Sequence, residues 1–148
     1  MQAKGNQLMT RRLLLVLVGA LVLLLGGRAH AQIVVIANPS VNQTDVSRAD
    51  LRDIFTGASS SLKGGAAVTP VLLKDGAVND AMLALYVGKS DSAFRASWRS
   101  LLFSGQGVMP RTVDSEAAMV EYVARTPGAI GYIGKSAPHE GVKTLAVR

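Results

Sequence analysis

The sequence predicts an α/β layer fold with a largely parallel sheet. Two observations carry this. Apolar runs rich in β-branched residues alternate with segments whose apolar residues recur at helical spacing, and the order reads strand, helix, strand, helix, helix, strand, helix, strand. With 148 residues, 49% apolar and 18% charged, the chain has room for about one ordinary domain and lacks the low-hydrophobicity, high-charge composition of a disordered one.

Ile33, Val34, Val35, Ile36 and Ala37 form a continuous run closed by Asn38, Pro39 and Ser40, the pattern of a strand buried on both faces. Ser47 is placed to cap a short helix with Asp50 approximating a capping box. Leu51, Ile54 and Phe55 recur at helical spacing before Gly57 stops it. Residues 59–65 form a loop. A second strand runs over residues 68–73, with Pro70 near its start or at an edge. After the turn at Lys74, Asp75 and Gly76, a helical face of Val78, Met82, Leu85 and Tyr86 ends at Gly88. Ser90 caps a third helix with the stripe Phe94, Trp98, Leu101 and Leu102, which predicts that Trp98 packs in the core; Arg95 and Arg99 share the opposite, solvated side. A short extended piece around Arg111, Thr112 and Val113 precedes a fourth helix from Asp114 or Ser115 to Arg125, with Val120, Val123 and Ala124 inward. Thr126, Pro127 and Gly128 end it, and residues 129–133 and 142–147 supply two more strands.

The first 31 residues read as a cleaved secretory leader. Lys4, Arg11 and Arg12 make a basic start, residues 13–25 are apolar apart from Gly19, and Ala29, His30 and Ala31 form a small-residue cleavage site. An apolar run of this length spans about 20 Å as a helix against a hydrocarbon core of about 30 Å, which favours removal over anchoring and leaves no membrane span after cleavage. Thr10, Arg11, Arg12 and Leu13 suit twin-arginine export, and the leucine-rich run suits the general route; both stay open. Residues 32–148 then form one domain. Four of the 16 basic residues and none of the 10 acids lie in the leader, so the remainder carries 12 against 10, a net charge of +2. No basic run remains, which argues against a nucleic-acid partner. The chain has no cysteine, which removes disulfides, thiolate metal sites and cysteine nucleophiles and, with the leader, fits a periplasmic location.

The chemistry-bearing residues are few. His30 departs with the leader, leaving His139 beside Pro138 as the remaining imidazole. No nucleophile elbow, zinc helix, phosphate-cradling loop or dinucleotide fingerprint is present, so no catalytic residue, metal or cofactor is expected, and the chain is not read as an enzyme. One feature has ligand-binding chemistry. Lys74, Asp75, Gly76, Ala77 and Asn79 open a helix directly after the second strand, where unpaired amides attract anions. Gly76 and Ala77 let an oxyanion approach the backbone, Lys74 adds positive charge and Asn79 offers a side-chain donor. An ordinary strand-to-helix turn fits the same residues. Asn38 and Ser40 follow the first strand and, in a parallel sheet, would lie at the same carboxyl edge, where ligands of such folds bind.

Residues 33–147 resemble the short, single-lobe relatives of the periplasmic phosphate-binding protein of ABC transporters, in the type 2 periplasmic-binding superfamily. The likeness rests on residues 33–39, on Leu51-Arg52-Asp53-Ile54-Phe55-Thr56-Gly57, on Trp98 with Phe103-Ser104-Gly105-Gln106-Gly107 and Pro110, and on residues 126–133, which read Thr-Pro-Gly-Ala-Ile-Gly-Tyr-Ile. It implies a single lobe of that fold, a mostly parallel sheet with helices on both faces, and a solute-binding role with phosphate or a similar oxyanion as ligand, linked to ABC-type uptake. The family's Arg-x-Asp-Gly-Ser-Gly-Thr loop reads Leu73-Lys74-Asp75-Gly76-Ala77-Val78-Asn79 here, so the arginine and both hydroxyls are replaced, and a tryptophan common after the first helix is Leu62. Each charge-assisted hydrogen bond contributes roughly 1.5–3 kcal/mol, so their loss implies weak binding, no tighter than about the high-micromolar range. The alternative is a degenerate lobe that acts as a protein-interaction module for a membrane sensor or transporter.

Overall fold

A computed structural model describes residues 31–148; the expected leader falls almost wholly outside the described residues. All of the expected strands and helices form. In chain order they are β1 (Ile33–Ala37), β2 (Asp45–Val46), α1 (Arg48–Thr56), β3 (Thr69–Leu73), α2 (Ala77–Met82, extended by a π-turn over Leu83–Val87), α3 (Asp91–Phe103), β4 (Arg111–Val113), α4 (Glu116–Arg125), β5 (Ala129–Gly134) and β6 (Lys143–Val147). The helix boundaries follow local chemistry. The Ser47 hydroxyl accepts from the Asp50 amide at 3.0 Å, Ser90 and Ser115 cap α3 and α4 in the same way, and Gly57 closes α1 in the left-handed region at φ 79°.

The six strands form one sheet in the order β2-β6-β1-β5-β3-β4. Five run the same way. β1 runs against its neighbours β5 and β6, whereas β2 is parallel to β6, and β3 is parallel to both β4 and β5. Pro70 sits at the start of β3, paired with Ile130 of β5, just before pairing with β4 begins at Val71, so its missing N–H interrupts little of the ladder. β2, only two residues long, carries no pattern legible in the sequence; it exists through its pairing with β6.

The reversed β1 overturns one expectation. Ala37 lies opposite Ile130, and the Asn38 amide donates to the Ala129 carbonyl at 2.8 Å, at the end of the sheet where β3 and β5 begin. Asn38 and Ser40 therefore stand at the opposite end of the sheet from residues 74–79. The physical reason is that helical crossovers dictate parallel neighbours, but β1 is enclosed by strands distant in the chain, and nothing within residues 33–37 selects a direction.

Helices cover both faces. Alternation along β5 turns Gly131 to one face, where a Cβ would stand 2.5 Å from Met119 Sδ, so the bare glycine lets α4 lie on the sheet. Tyr132 points to the other face and meets Phe55 of α1 edge to face, with ring centroids 5.6 Å apart. β5 is buried along its whole length, and Phe55, Ile36, Leu51, Leu72 and Met119 fill the layers on either side. Burying a side chain of this size contributes roughly 1.5–3 kcal/mol, so the core, without disulfides, is sustained by packing. Trp98 is buried as expected, its indole N–H donating to the Phe55 carbonyl at 3.0 Å.

Candidate functional site

The carboxyl end of β3 is organised by a chain of hydrogen bonds that begins and ends on adjacent residues. The Leu73 amide donates to the Tyr132 hydroxyl at 3.0 Å, and that hydroxyl donates to Asn79 Oδ1 at 2.7 Å. Asn79 Nδ2 donates to Asp91 Oδ1 at 3.0 Å, while Asp91 Oδ2 accepts from Arg95 Nε at 2.9 Å. Arg95 then donates through Nη2 to the Lys74 carbonyl. Five residues from β3, α2, α3 and β5 are thus tied around one turn. Among the described residues, no buried side-chain nitrogen or oxygen lacks a partner.

Two ionisations are displaced by this network. The hydrogen bond from Arg95, and secondarily the one from Asn79, hold the Asp91 carboxyl below its ordinary value near 3.8, against the opposing effect of partial burial. The stability this ion pair contributes is present above that value and is lost as the pH falls through the lower folded value. Burial pushes the Tyr132 phenol up to about 12, with the bond from the Leu73 amide opposing.

Within that frame the start of α2 is open. Gly76 precedes it at φ 100°, a conformation only glycine adopts without strain, and empty space surrounds the position where a Cβ would stand. α2 has no side-chain cap, and the amides of Ala77, Val78 and Asn79 meet no acceptor among the described residues. The Asp80 amide is the first to bond back, to the Gly76 carbonyl at 3.0 Å. Lys74, Asp75, Gly76 and Ala77 are exposed. Unpaired amides at a helix start, with a lysine beside them, can receive an anion.

The structure distributes the expected site residues unequally. Lys74, Asp75, Gly76 and Ala77 share this open turn. Asn79 is in the turn but faces inward; at 2% exposure both ends of its amide are engaged, so it organises the loop and offers no outward donor. Asn38, also buried, donates from Nδ2 to the Val123 and Ala124 carbonyls at 2.8 and 3.0 Å and accepts from the Ser40 amide at 2.9 Å. The Ser40 hydroxyl accepts from the Gly128 amide at 2.9 Å. Those two residues close the last turn of α4 at the far end of the sheet and take no part in the turn at 74–79.

Arg95, expected on a solvated face, is the residue that sequence reasoning missed. Its side chain is 26% exposed and fastens α3 to the carbonyl of Lys74. The legible signal was Asp91 four positions earlier, an i,i+4 ion pair; the reach to Lys74 was not legible. Among the described residues, no group of three or more His, Asp or Glu side chains is arranged to hold a metal ion.

No protein-family model and no curated protein matches the chain. Solved structures do. A putative phosphate ABC transporter substrate-binding protein with bound phosphate from Clostridium perfringens superposes with a TM-score of 0.61 at 24% identity, over 78% of this chain and 44% of that one. PstS from Borrelia burgdorferi gives 0.61 at 21% identity, over 79% and 47%. An ABC-type phosphate transport receptor from Vibrio cholerae gives 0.52 at 18% identity, over 78% and 46%. The chain therefore has the fold seen in phosphate-transport substrate-binding proteins and spans less than half the length of each of these three. These neighbours are binding proteins of transport systems rather than enzymes. Among the described residues, no helix is long and apolar enough to cross a membrane.

Proposed function

We propose that the protein is a periplasmic solute-binding-like module, exported by a leader over residues 1–31, that takes up phosphate or a similar oxyanion weakly at the start of α2. The observation that carries this reading is the set of amides at Ala77, Val78 and Asn79 left without acceptors beside exposed Lys74, in a fold shared with proteins of phosphate transport. The site is backbone-built. Amide donors and the helix dipole supply the attraction, Lys74 adds charge, and Gly76 keeps the approach clear of a side chain. Asp75, exposed beside them, is an acceptor and favours an anion that still carries a proton, as phosphate does at neutral pH and sulfate does not. With no arginine fork and no second lobe in these 118 described residues, affinity stays in about the high-micromolar range or weaker.

Calorimetry of the protein with phosphate and with sulfate tests the reading. Heat on phosphate addition that is reduced several-fold by Lys74→Ala is expected; no heat and no shift in melting at millimolar phosphate overturns it. The inward commitment of Asn79 favours a second reading, a lobe whose anion site has lapsed and which serves as an interaction module for a transporter or sensor. Phosphate heat that depends on Lys74 rejects that second reading.

A further inference from the structure

β1 lies inside the sheet, with β5 on one side and β6 on the other, and Gln32 is the residue that leads into it. The fold holds Gln32 by a single atom. Its carbonyl accepts from the Lys135 amide at 2.9 Å, which carries the pairing of β1 with β5 one position beyond Ile33 and Gly134. Among the described residues, the main-chain nitrogen of Gln32 meets no acceptor and its side-chain amide makes no hydrogen bond. The side chain is exposed, at the rim of a cleft of about 370 Å³ that Val78, Glu116 and Lys135 also border. Glu116, the acid in that cleft, already accepts from the Gly134 amide at 2.5 Å.

We propose that Gln32 becomes an N-terminal pyroglutamate, an inference that rests on removal of the leader after Ala31. That cleavage turns the main-chain nitrogen of Gln32 from an amide into a primary amine. An α-amine has an ordinary pKa of about 8 and is partly unprotonated near neutral pH. The amine nitrogen attacks Cδ, the side-chain carbonyl carbon of the same residue, and a lactam ring closes. The N–Cδ bond forms, the Cδ–Nε2 bond breaks, and a proton passes from the attacking nitrogen to Nε2, which leaves as ammonia; nothing is oxidised and no co-reactant is consumed. Nucleophile and carbonyl sit on one residue, so their effective concentration far exceeds that of separate molecules. The carbonyl tied to Lys135 lies outside the ring, so the sheet keeps its bond while the reacting atoms are those the fold leaves unengaged. A lactam offers no primary amine to an aminopeptidase, and trimming stops before it reaches β1.

The full chain is expressed in a bacterium with a periplasm, and the exported protein is incubated for several days at body temperature in mildly alkaline buffer. The intact mass is expected to match a chain that begins at Gln32 less one ammonia. Stepwise N-terminal degradation is expected to yield nothing until pyroglutamyl aminopeptidase opens the chain at Ile33. Gln32→Ser, exported and incubated alongside, keeps its amine and is degraded stepwise from residue 32. A mature chain that begins at Gln32 and retains its ammonia overturns the inference and leaves the leader reading standing. A chain that still carries residues 1–31, or begins at any other residue, overturns both. Phosphate calorimetry is independent of each of these outcomes.

Discussion

Asn38 and Asn79 are the buried polar side chains of the described residues, and they stand at opposite ends of the sheet. Both follow or lie just beyond a strand's carboxyl end, both use a side-chain amide to join distant segments, and yet the surroundings differ. Around Asn38 the donors are consumed: its own amide closes two carbonyls of α4, and Ser40 takes the Gly128 amide. Around Asn79 the side chains are consumed, but the backbone amides at the start of α2 are not. The lesson is that capping, rather than the presence of a buried asparagine, separates a closed end from a receptive one: Asn38 satisfies two carbonyls at the end of α4, whereas no side-chain oxygen caps the start of α2, where Asn79 Oδ1 is committed to the Tyr132 hydroxyl.

The largest expected effect is at Asn79. Asn79→Ala strips the acceptor from the Tyr132 hydroxyl and a donor from Asp91 inside the fold, and a loss of roughly 3 kcal/mol in urea unfolding is expected. If that variant loses phosphate binding at unchanged stability, Asn79 is a ligand donor and the contrast fails. Raising the pH attacks the same network. The folded Tyr132 phenol holds its proton to about 12 against an ordinary value of 10, so stability is intact below pH 10 and declines as the pH rises toward 12. Alkaline melting curves should show that slope, up to roughly 2–3 kcal/mol in total, and Tyr132→Phe should flatten it.

Asn38→Ala comes next, at roughly 2 kcal/mol, because it leaves two carbonyls of α4 less well satisfied at the other end. It should leave phosphate binding untouched once measured below the melting transition; a binding defect would place the closed end in the site. The smallest effect sharpens the contrast most. Lys74→Ala removes an exposed side chain and should change stability by no more than about 0.5 kcal/mol, while phosphate heat falls.

Much of this architecture was legible residue by residue. Ser47, Ser90 and Ser115 mark helix starts because a hydroxyl three residues before an amide can cap it locally, and Gly57 and Gly88 mark ends because a left-handed residue is a local requirement. The core stripe of Leu51, Ile54 and Phe55 follows from spacing alone. The candidate turn at 74–77 was legible for the same reason, as a glycine between a strand and a helix. The roles of Asn38, Ser40, Asn79 and Arg95 were not, because each partner lies on another element: Val123 and Gly128 for the first pair, Tyr132 and Asp91 for Asn79, and the Lys74 carbonyl for Arg95.

Apart from β2, which exists only through its pairing with β6, the amino-acid order by itself determined where strands and helices begin and end, which faces are apolar, and that an uncapped helix start follows β3, since these depend on contacts within a few residues. Only the tertiary structure decided that β1 runs against its neighbours, and with that which loops share an end of the sheet. Strand direction is settled by pairing between residues almost a hundred positions apart, Val35 with Tyr132 among them, and each side chain's hydrogen-bond partner is settled only after that pairing has brought the elements together.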